Sequence, residues 1–235
     1  MKYLFVIAHC DPKKESTTYS LSKFVKNELE QAGHEVKVVD LIEDGFKECP
    51  SKDDFINIGD KPFFYPFLQK NDNLIPLIKE HQQKLLWAEN IIVFAPIWFL
   101  GLPAVFYSYI QRVFTYGWGY TLGGKRDGMP LFGRRIMFVV GTGAPKPHYL
   151  PNESATTIEG ILYHVTNTMY YSGLDCKYSF PVFTAPSLKG DDRIKKFAQV
   201  SEAVNNIEKR KSLPFEEKHT GNTEVATFSN LQYID

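Results

Sequence analysis

The hydrophobic positions of the chain alternate between short continuous runs and longer stretches with a helical period. Residues 3–8 are apolar throughout, which is typical of a parallel strand covered by helices on both faces. Residues 17–32 follow with an apolar stripe at helical spacing, and Gly33 stands where a C-terminal glycine cap is expected. Residues 36–39 supply a second apolar run. The order strand, helix, strand predicts a right-handed crossover between parallel strands.

The same alternation continues along the chain. It predicts further strands at 91–95, 136–140 and 178–183, and further helices at 74–87, 104–114, 157–171 and 191–209. Five strands alternating with helices favour an α/β fold, a flavodoxin-like doubly wound parallel sheet of order 2-1-3-4-5 with helices on both faces. Residues 44–73 carry no sustained period and are predicted to form an excursion loop. Residues 1–210 are expected to form one domain, and the polar segment 211–235 an extended or disordered tail.

Composition removes several classes of function. The 27 basic and 27 acidic residues balance, so no overall field attracts nucleic acid or an anionic membrane. The three cysteines, Cys10, Cys49 and Cys176, match neither a disulfide framework nor the spacing of a zinc site, so no metal is expected and a reducing cytoplasm fits. The first apolar run ends at His9, after about eight residues, far short of a membrane span.

The loops after strands one, three and four are expected to meet at one edge of the sheet, where ligands of such folds bind. After strand one, Ser16, Thr17 and Thr18 precede a helix whose free amides favour an anion, although capping the helix is the commoner role of such residues. His9 opens the same loop. The sequence lacks both the glycine-rich dinucleotide fingerprint and the Walker pattern, so a flavin phosphate suits this loop better than a Rossmann dinucleotide or a nucleoside triphosphate.

Strands three and four also end in unusual residues. Trp98 and Phe99 lie between two prolines where the chain must turn, and large aromatics at such a surface position indicate a binding partner. After strand four, residues 141–144 form a turn of small residues whose backbone can approach a planar ring, with the Thr142 hydroxyl as a hydrogen-bonding group. Aromatic residues make up 14% of the chain, and packing in core and interface is the commoner role of any single one.

Several sequence blocks carry a resemblance to a known family. They are Ala8-His9 with Ser16-Thr-Thr18, Glu80-x-x-Gln83-Lys84-Leu85, Pro96-Ile-Trp-Phe-x-Gly-x-Pro-Ala104, Arg112-Val-Phe114 and Gly117-x-x-Tyr120. Through these blocks residues 1–183 resemble the NAD(P)H:quinone oxidoreductase (DT-diaphorase-like) family. The resemblance implies a flavin cofactor, with FAD favoured over FMN, and NAD(P)H as co-substrate. It also implies a homodimer in which a ping-pong hydride transfer reduces quinones or other aromatic acceptors.

The resemblance assigns roles to individual residues. Flavin phosphate and ribityl groups would be held by His9, Ser16, Thr17 and Thr18. The flavin ring would be contacted by Pro96, Ile97, Trp98, Phe99, Leu100, Thr142, Gly143 and Ala144. Phe99 and Leu100 would flank it.

Two tyrosines complete the implied site. Tyr149 falls at the family tyrosine that stabilises charge during hydride transfer, and Tyr120 at an aromatic that closes the substrate pocket from the other subunit. The family histidine that follows the first tyrosine is missing, because Ser154 or Ala155 stands in its place. The neighbouring His148 is the candidate substitute.

Two other functions remain compatible with the sequence. A flavodoxin-like electron carrier would have no substrate pocket of its own, but carriers usually have acidic docking surfaces and this chain is neutral. A regulatory subunit with reduced activity is favoured by the missing histidine. The sequence does not determine the physiological acceptor or the choice between NADH and NADPH.

Overall fold

A computed structural model of the chain describes residues 1–60, 63–70, 73–121, 125–151 and 156–215. Its strands are β1 (Lys2–Ile7), β2 (Glu35–Asp40), β3 (Asn90–Pro96), β4 (Arg135–Gly141), β5 (Asp175–Cys176) and β6 (Phe180–Val182). Its α-helices are α1 (Thr17–Gln31), α2 (Tyr65–Lys70), α3 (Pro76–Trp87), α4 (Ala104–Val113), α5 (Ile158–Tyr171) and α6 (Gly190–Asn205). Short 3-10 turns span Lys52–Asp54, Arg126–Gly128, Lys146–Tyr149, Ala185–Ser187 and Ile207–Lys209.

The strands form one parallel sheet in the order β2-β1-β3-β4-β5, with β6 also paired to β4. This order confirms the predicted topology. The single fifth strand predicted at 178–183 is wrong in detail, because β5 ends at Cys176, before that range, and β6 covers only Phe180–Val182. Between them the Tyr178 amide donates to the Lys211 carbonyl at 3.1 Å and the Ser179 amide donates to the Glu159 carboxylate at 2.7 Å, so neither donates to β4.

Both faces of the central strands are covered, which explains why β1, β3 and β4 are apolar between their first and last residues. Leu4 and Val6 pack on the face that carries α3, α4 and α5, while Tyr3 and Phe5 pack on the face that carries α1 and α6. Burying a large aliphatic or aromatic side chain contributes about 1.5–3 kcal/mol to folding, so these two layers stabilise the sheet. Among the helices described, none has the length and apolar character needed to cross a membrane.

The region predicted as an excursion loop, 44–73, contains the turn Lys52–Asp54 and helix α2, which the sequence analysis did not predict. Segments this short cannot show a helical period. Asp54, which is buried, accepts hydrogen bonds from Arg112 Nε at 2.7 Å and from the Tyr65 hydroxyl at 2.8 Å. The first bond joins the excursion to α4, and the second joins α2 to the turn Lys52–Asp54 within the excursion.

The chain beyond α6 remains on the sheet as far as residue 215. Ser212 forms an antiparallel bridge with Lys177, and the Leu213 amide donates to the Cys176 carbonyl at 2.8 Å. The Phe215 ring lies 4.7 Å from the Tyr170 ring. The first residues of the predicted tail therefore pack against β5 and α5, and residues 216–235 lie outside the described part of the chain.

Candidate active site

A cavity of about 630 Å³, here called the edge cavity, lies at the carboxyl edge of the sheet. Ten of the residues singled out in the sequence line it: His9, Ser16, Thr17, Thr18, Pro96, Ile97, Trp98, Phe99, Thr142 and Gly143. The loops after β1, β3 and β4 thus meet where the strand order reverses, as expected for a doubly wound sheet. The volume lies within the range of about 300 to 1,000 Å³ that is typical of small-molecule sites.

The loop after β1 presents the N-terminus of α1 to the edge cavity. Ser16 caps the helix, because its hydroxyl accepts the Tyr19 amide at 3.5 Å. Among the hydrogen bonds of the described residues, none uses the amides of Thr17 and Thr18 as donors. Two free amides at the positive end of a helix dipole form a site for an anion.

Asp11 shapes this loop, and the sequence analysis did not identify it. Its carboxylate accepts the backbone amides of Lys13 at 2.9 Å, Glu15 at 2.8 Å and Ser16 at 2.8 Å. These backbone hydrogen bonds, that of Lys13 foremost, lower the pKa of Asp11. An aspartate that precedes a proline is a signal of such a turn. Asp11 holds the loop backbone in the shape that exposes the helix amides.

His9 offers one hydrogen-bond donor at the edge cavity. Its Nδ1 accepts the Asp11 amide at 3.0 Å, so the proton of the neutral ring is on Nε2. Burial lowers the pKa of His9, and this effect exceeds that of the negative charges of Asp11 and Asp40, which raise the pKa. The ring contacts Trp98, with centroids 5.3 Å apart, which joins the loop after β1 to the loop after β3.

Residues 98–101, here called the aromatic turn, form the second wall. Trp98 and Gly101 exchange backbone hydrogen bonds of 2.9 and 3.0 Å that close the turn. Phe99 and Leu100 between them have φ angles of 50° and 55°, in the left-handed region that ordinary residues occupy at a cost of about 1–2 kcal/mol each. Both side chains are exposed. The turn therefore holds strain while presenting apolar surface, a combination that occurs at ligand sites.

The loop after β4 forms a third wall, which internal hydrogen bonds fix. Thr142 donates its amide to the Val182 carbonyl at 3.0 Å and its hydroxyl to the Ala144 carbonyl at 2.7 Å. The hydroxyl proton is therefore in use, and a ligand would find the Thr142 oxygen as an acceptor. A Cβ on Gly143 would meet no described atom within 4 Å, so the space before that backbone is open.

The remaining predicted residues do not line the edge cavity. Leu100 and Ala144 lie next to residues that line it. Tyr149 is buried with its ring 5.6 Å from Phe183, and its neighbour His148 is exposed. Ser154 and Ala155, at the place of the missing histidine, lie outside the described residues.

Tyr120 lies in a different depression, here called the α4–α5 groove. This groove has a volume of about 710 Å³. Ile110 and Gln111 of α4 and His164 of α5 also line it. Tyr120 therefore does not share a cavity with the other candidates within one chain.

The edge cavity also includes residues that the sequence analysis missed. They are Glu15, Ala185, Pro186, Leu188, Lys189 and Arg193, and Gly141 of the predicted turn 141–144 lines the cavity as well. Most belong to the loop after β6 and the start of α6, and that loop leaves the same sheet edge as the three that were considered. The Thr17 hydroxyl donates to the Ala185 carbonyl at 3.0 Å and joins this fourth loop to α1. Lys189 and Arg193 add two cations to the lining.

The doubly wound parallel sheet, with a cavity at its switch point, defines a flavodoxin-like α/β protein. The chain belongs to the flavodoxin-like fold family, whose model matches residues 1–209. The ribosyldihydronicotinamide dehydrogenase-like protein traD of Penicillium crustosum is 28% identical over 97% of this chain and 89% of its own length. NAD(P)H dehydrogenase (quinone) 1 of Cavia porcellus is 29% identical over 62% of this chain, and the match spans 54% of that relative.

Solved structures agree with the fold. A Klebsiella pneumoniae protein assigned as a quinone reductase is 25% identical, with a TM-score of 0.85 over 97% of this chain and 93% of its own. General stress protein 14 of Treponema denticola, solved in complex with FMN, is 18% identical, with a TM-score of 0.61 over 87% of this chain and 99% of its own. At that identity the second likeness concerns the fold.

Proposed function

We propose that this protein is a flavin-dependent NAD(P)H oxidoreductase that reduces quinones or other aromatic acceptors. The observation that carries the proposal is the edge cavity, which joins an anion site at the start of α1 to an apolar wall on the aromatic turn. A flavin has these two parts, a phosphate at one end and a planar ring at the other. The names of the Penicillium and Cavia relatives support the same class of reaction.

The donors at the edge cavity fit the phosphate end of a flavin. The amides of Thr17 and Thr18 and the Nε2–H of His9 are donors in the right place for phosphate oxygens. The open backbone at Gly143 leaves room for a flat ring against the loop after β4. When bound, a flavin supplies hydride chemistry that no side chain of the protein has.

FAD is the flavin that we propose. Lys189 and Arg193 extend the lining beyond the amides of Thr17 and Thr18, so the edge cavity offers positive groups for more than one phosphate. FAD carries a diphosphate, whereas FMN carries a single phosphate. The two cations at the start of α6 therefore favour the dinucleotide.

The protein's own residues would orient the substrates and stabilise charge. We assign Tyr149 the role of a hydroxyl donor that stabilises negative charge as hydride arrives, with His148 as the candidate proton carrier beside it. Trp98, Phe99 and Leu100 would exclude water from the reacting face. One site would serve NAD(P)H and the acceptor in turn, which gives ping-pong kinetics.

A homodimer is part of the proposal. Tyr120 lines the α4–α5 groove and not the edge cavity, so within one chain it does not line the proposed substrate pocket. A second copy that covers the α4–α5 groove would bring Tyr120 to the edge cavity of its partner. We propose that Phe99 and Tyr149 of one chain and the tyrosine of the other then form the pocket, although Tyr149 does not line the edge cavity of the single chain.

The test is NAD(P)H oxidation by the purified protein with a soluble quinone and no partner protein. We expect turnover, with double-reciprocal plots that remain parallel as the quinone concentration changes. An electron carrier would need a separate reductase and would show no turnover alone. A regulatory subunit would bind flavin or nucleotide without turnover, and either result would contradict the proposal.

A further inference from the structure

We propose that Tyr107 and His164 are a positioning pair that holds the aromatic turn in the shape the reaction needs. Neither residue lines the edge cavity, so the pair acts through the backbone of the turn. The catalytic part of this inference rests on the proposed function. The structural part, that the pair sets the geometry of the aromatic turn, does not.

Tyr107 of α4 contacts the end of the aromatic turn from behind. Its Oη accepts the amide of Leu102, the residue after the turn, at 3.4 Å. A Cβ on Gly101 would lie 3.5 Å from the same oxygen, so the hydroxyl lies beside the last residue of the turn. One side-chain oxygen thus accepts a hydrogen bond from Leu102 and lies next to Gly101, the residue at which the turn closes.

His164 of α5 fixes the orientation of Tyr107. Its Nε2 lies 3.0 Å from Tyr107 Oη, and the two rings are stacked at 5.5 Å with an angle of 12° between their planes. Because Oη accepts the Leu102 amide, its own proton is free to be donated to Nε2. A continuous hydrogen-bond path then runs from the turn through Tyr107 to α5.

The aromatic turn needs such support because it is strained and exposed. Phe99 and Leu100 both have left-handed backbones, and residues in that region persist when their surroundings over-determine them. Both side chains are exposed, so packing contributes little to holding them. The hydrogen bonds between Trp98 and Gly101, the contact of the His9 ring with Trp98 and the hydrogen bond to Tyr107 restrain the turn.

The structural arm of the test follows the indole N–H signal of Trp98 by NMR in the purified full-length protein. The signal is assigned by its loss in Trp98→Phe. Tyr107→Phe keeps the ring and removes the oxygen, and His164→Phe keeps a stacking ring and removes the acceptor. We expect both to shift the Trp98 signal and leave that of Trp87 in place.

Tyr109→Phe is the matched control, because the Tyr109 hydroxyl, also on α4, is buried without a hydrogen-bond partner in the described structure. It should move neither signal. His164→Gln retains an acceptor for the Tyr107 proton and should restore most of the wild-type signal. Unchanged Trp98 signals in both Tyr107→Phe and His164→Phe would overturn the proposal, and so would a shift in the first without one in the second.

The catalytic arm measures flavin reduction by NAD(P)H in a stopped-flow instrument. Loss of one hydrogen bond to the turn should lower the limiting rate constant by roughly 3- to 10-fold, with the flavin dissociation constant unchanged. The double variant Tyr107→Phe with His164→Phe should be no slower than Tyr107→Phe, since both remove the same path. Additive losses would overturn the pairing. A wild-type protein without flavin or turnover would defeat the proposed function and leave the NMR arm to decide the pairing.

Discussion

At the scale of single residues, the edge cavity depends on two kinds of polar side chain. Some would face a ligand, and others form hydrogen bonds to the backbone and so fix the shape of the loops. Asp11 accepts hydrogen bonds from three amides of the loop after β1. The Thr142 hydroxyl donates to a carbonyl of its own loop, and the Thr17 hydroxyl donates to a carbonyl of the loop after β6. Their hydrogen bonds stay within the protein and leave the helix amides of Thr17 and Thr18 available. Binding groups are pre-organised in this way before a ligand arrives.

Tyr149→Phe tests the proposed charge-stabilising hydroxyl. Removing one donor to developing charge typically lowers the rate on the order of 100-fold, so flavin reduction by NAD(P)H should fall by about that factor. The flavin should be retained, since the phosphate end is held by other residues. Stopped-flow reduction measures the effect. An unchanged rate would remove Tyr149 from the mechanism.

Glu159 should make stability depend on pH. It is buried against Ser179, and burial raises its pKa to about 7 despite the hydrogen bonds from Ser179. The folded form therefore keeps its proton in a range where the unfolded form has lost it, so the stability contribution is complete below pH 4.5 and is lost as pH rises to 7. The loss is about 3 kcal/mol.

Urea denaturation of Glu159→Gln at pH 5 and pH 8 measures this contribution. The substitution keeps the shape of the side chain and removes its titration, so the fall in unfolding free energy between the two pH values should be about 2.5 kcal/mol smaller than in wild type, since part of the contribution is already lost at pH 5. Glu202→Gln, at an exposed position, is the control and should follow the wild type. An equal fall in all three proteins would refute the assignment.

The sequence predicted the residues that line the edge cavity more successfully than the residues that fix the loops in place. Hydroxyls before a helix and aromatics after a strand are visible in the chain order, and ten of the predicted residues, such groups among them, do line the edge cavity. Asp11 was not predicted, because it accepts hydrogen bonds from neighbouring amides and a search for ligand-binding groups does not consider that role. Arg193 was missed because it lies in the first turn of α6, after a loop that was not considered. Tyr149 and Tyr120 were placed by resemblance, and the structure puts neither in the lining of the edge cavity.

At the scale of secondary structure, long apolar runs made the elements predictable. Strands β1, β3 and β4 match their predicted ranges to within a residue at each end because each is buried on both faces. The fifth strand was predicted as one continuous strand, but the structure has two short strands instead. Hydropathy cannot show that the Ser179 amide donates to Glu159 rather than to β4. Helix α2 was missed because six residues are too few for a helical period. Its anchor, the pair of Asp54 and Arg112, joins distant parts of the chain.

Replacing the strained pair of the aromatic turn tests its cost. Phe99→Asn combined with Leu100→Gly installs the residues that turns with two left-handed positions prefer. The double variant should unfold with a free energy about 1–2 kcal/mol larger than wild type, measured by urea denaturation without ligand. It should also reduce quinones more slowly, because the apolar wall is gone.

Phe67→Asn is the comparison variant, since Phe67 is also exposed but lies in helix α2. It should give no stabilisation. A double variant of the aromatic turn that is no more stable than wild type would mean that the turn carries no strain.

At the scale of the whole molecule, the fold places the proposed cofactor site and the proposed dimer surface on different parts of one chain. We predict that Ile110→Asp, in the α4–α5 groove, converts a dimer into a monomer by sedimentation velocity. The monomer should keep its flavin and reduce quinone slowly, because the partner's aromatic side chains are lost. Ile194→Asp, at an exposed position of α6 outside the groove, should remain a dimer. A wild-type monomer with full activity would contradict the arrangement.

The central claim is that the edge cavity holds a flavin, and the visible absorption spectrum of the purified protein tests it most directly. The account predicts a yellow protein that releases FAD on denaturation, identified by mass, and that loses most of its flavin in a variant with Thr18→Pro, which removes a free amide of α1. A colourless protein that takes up neither FAD nor FMN would contradict it.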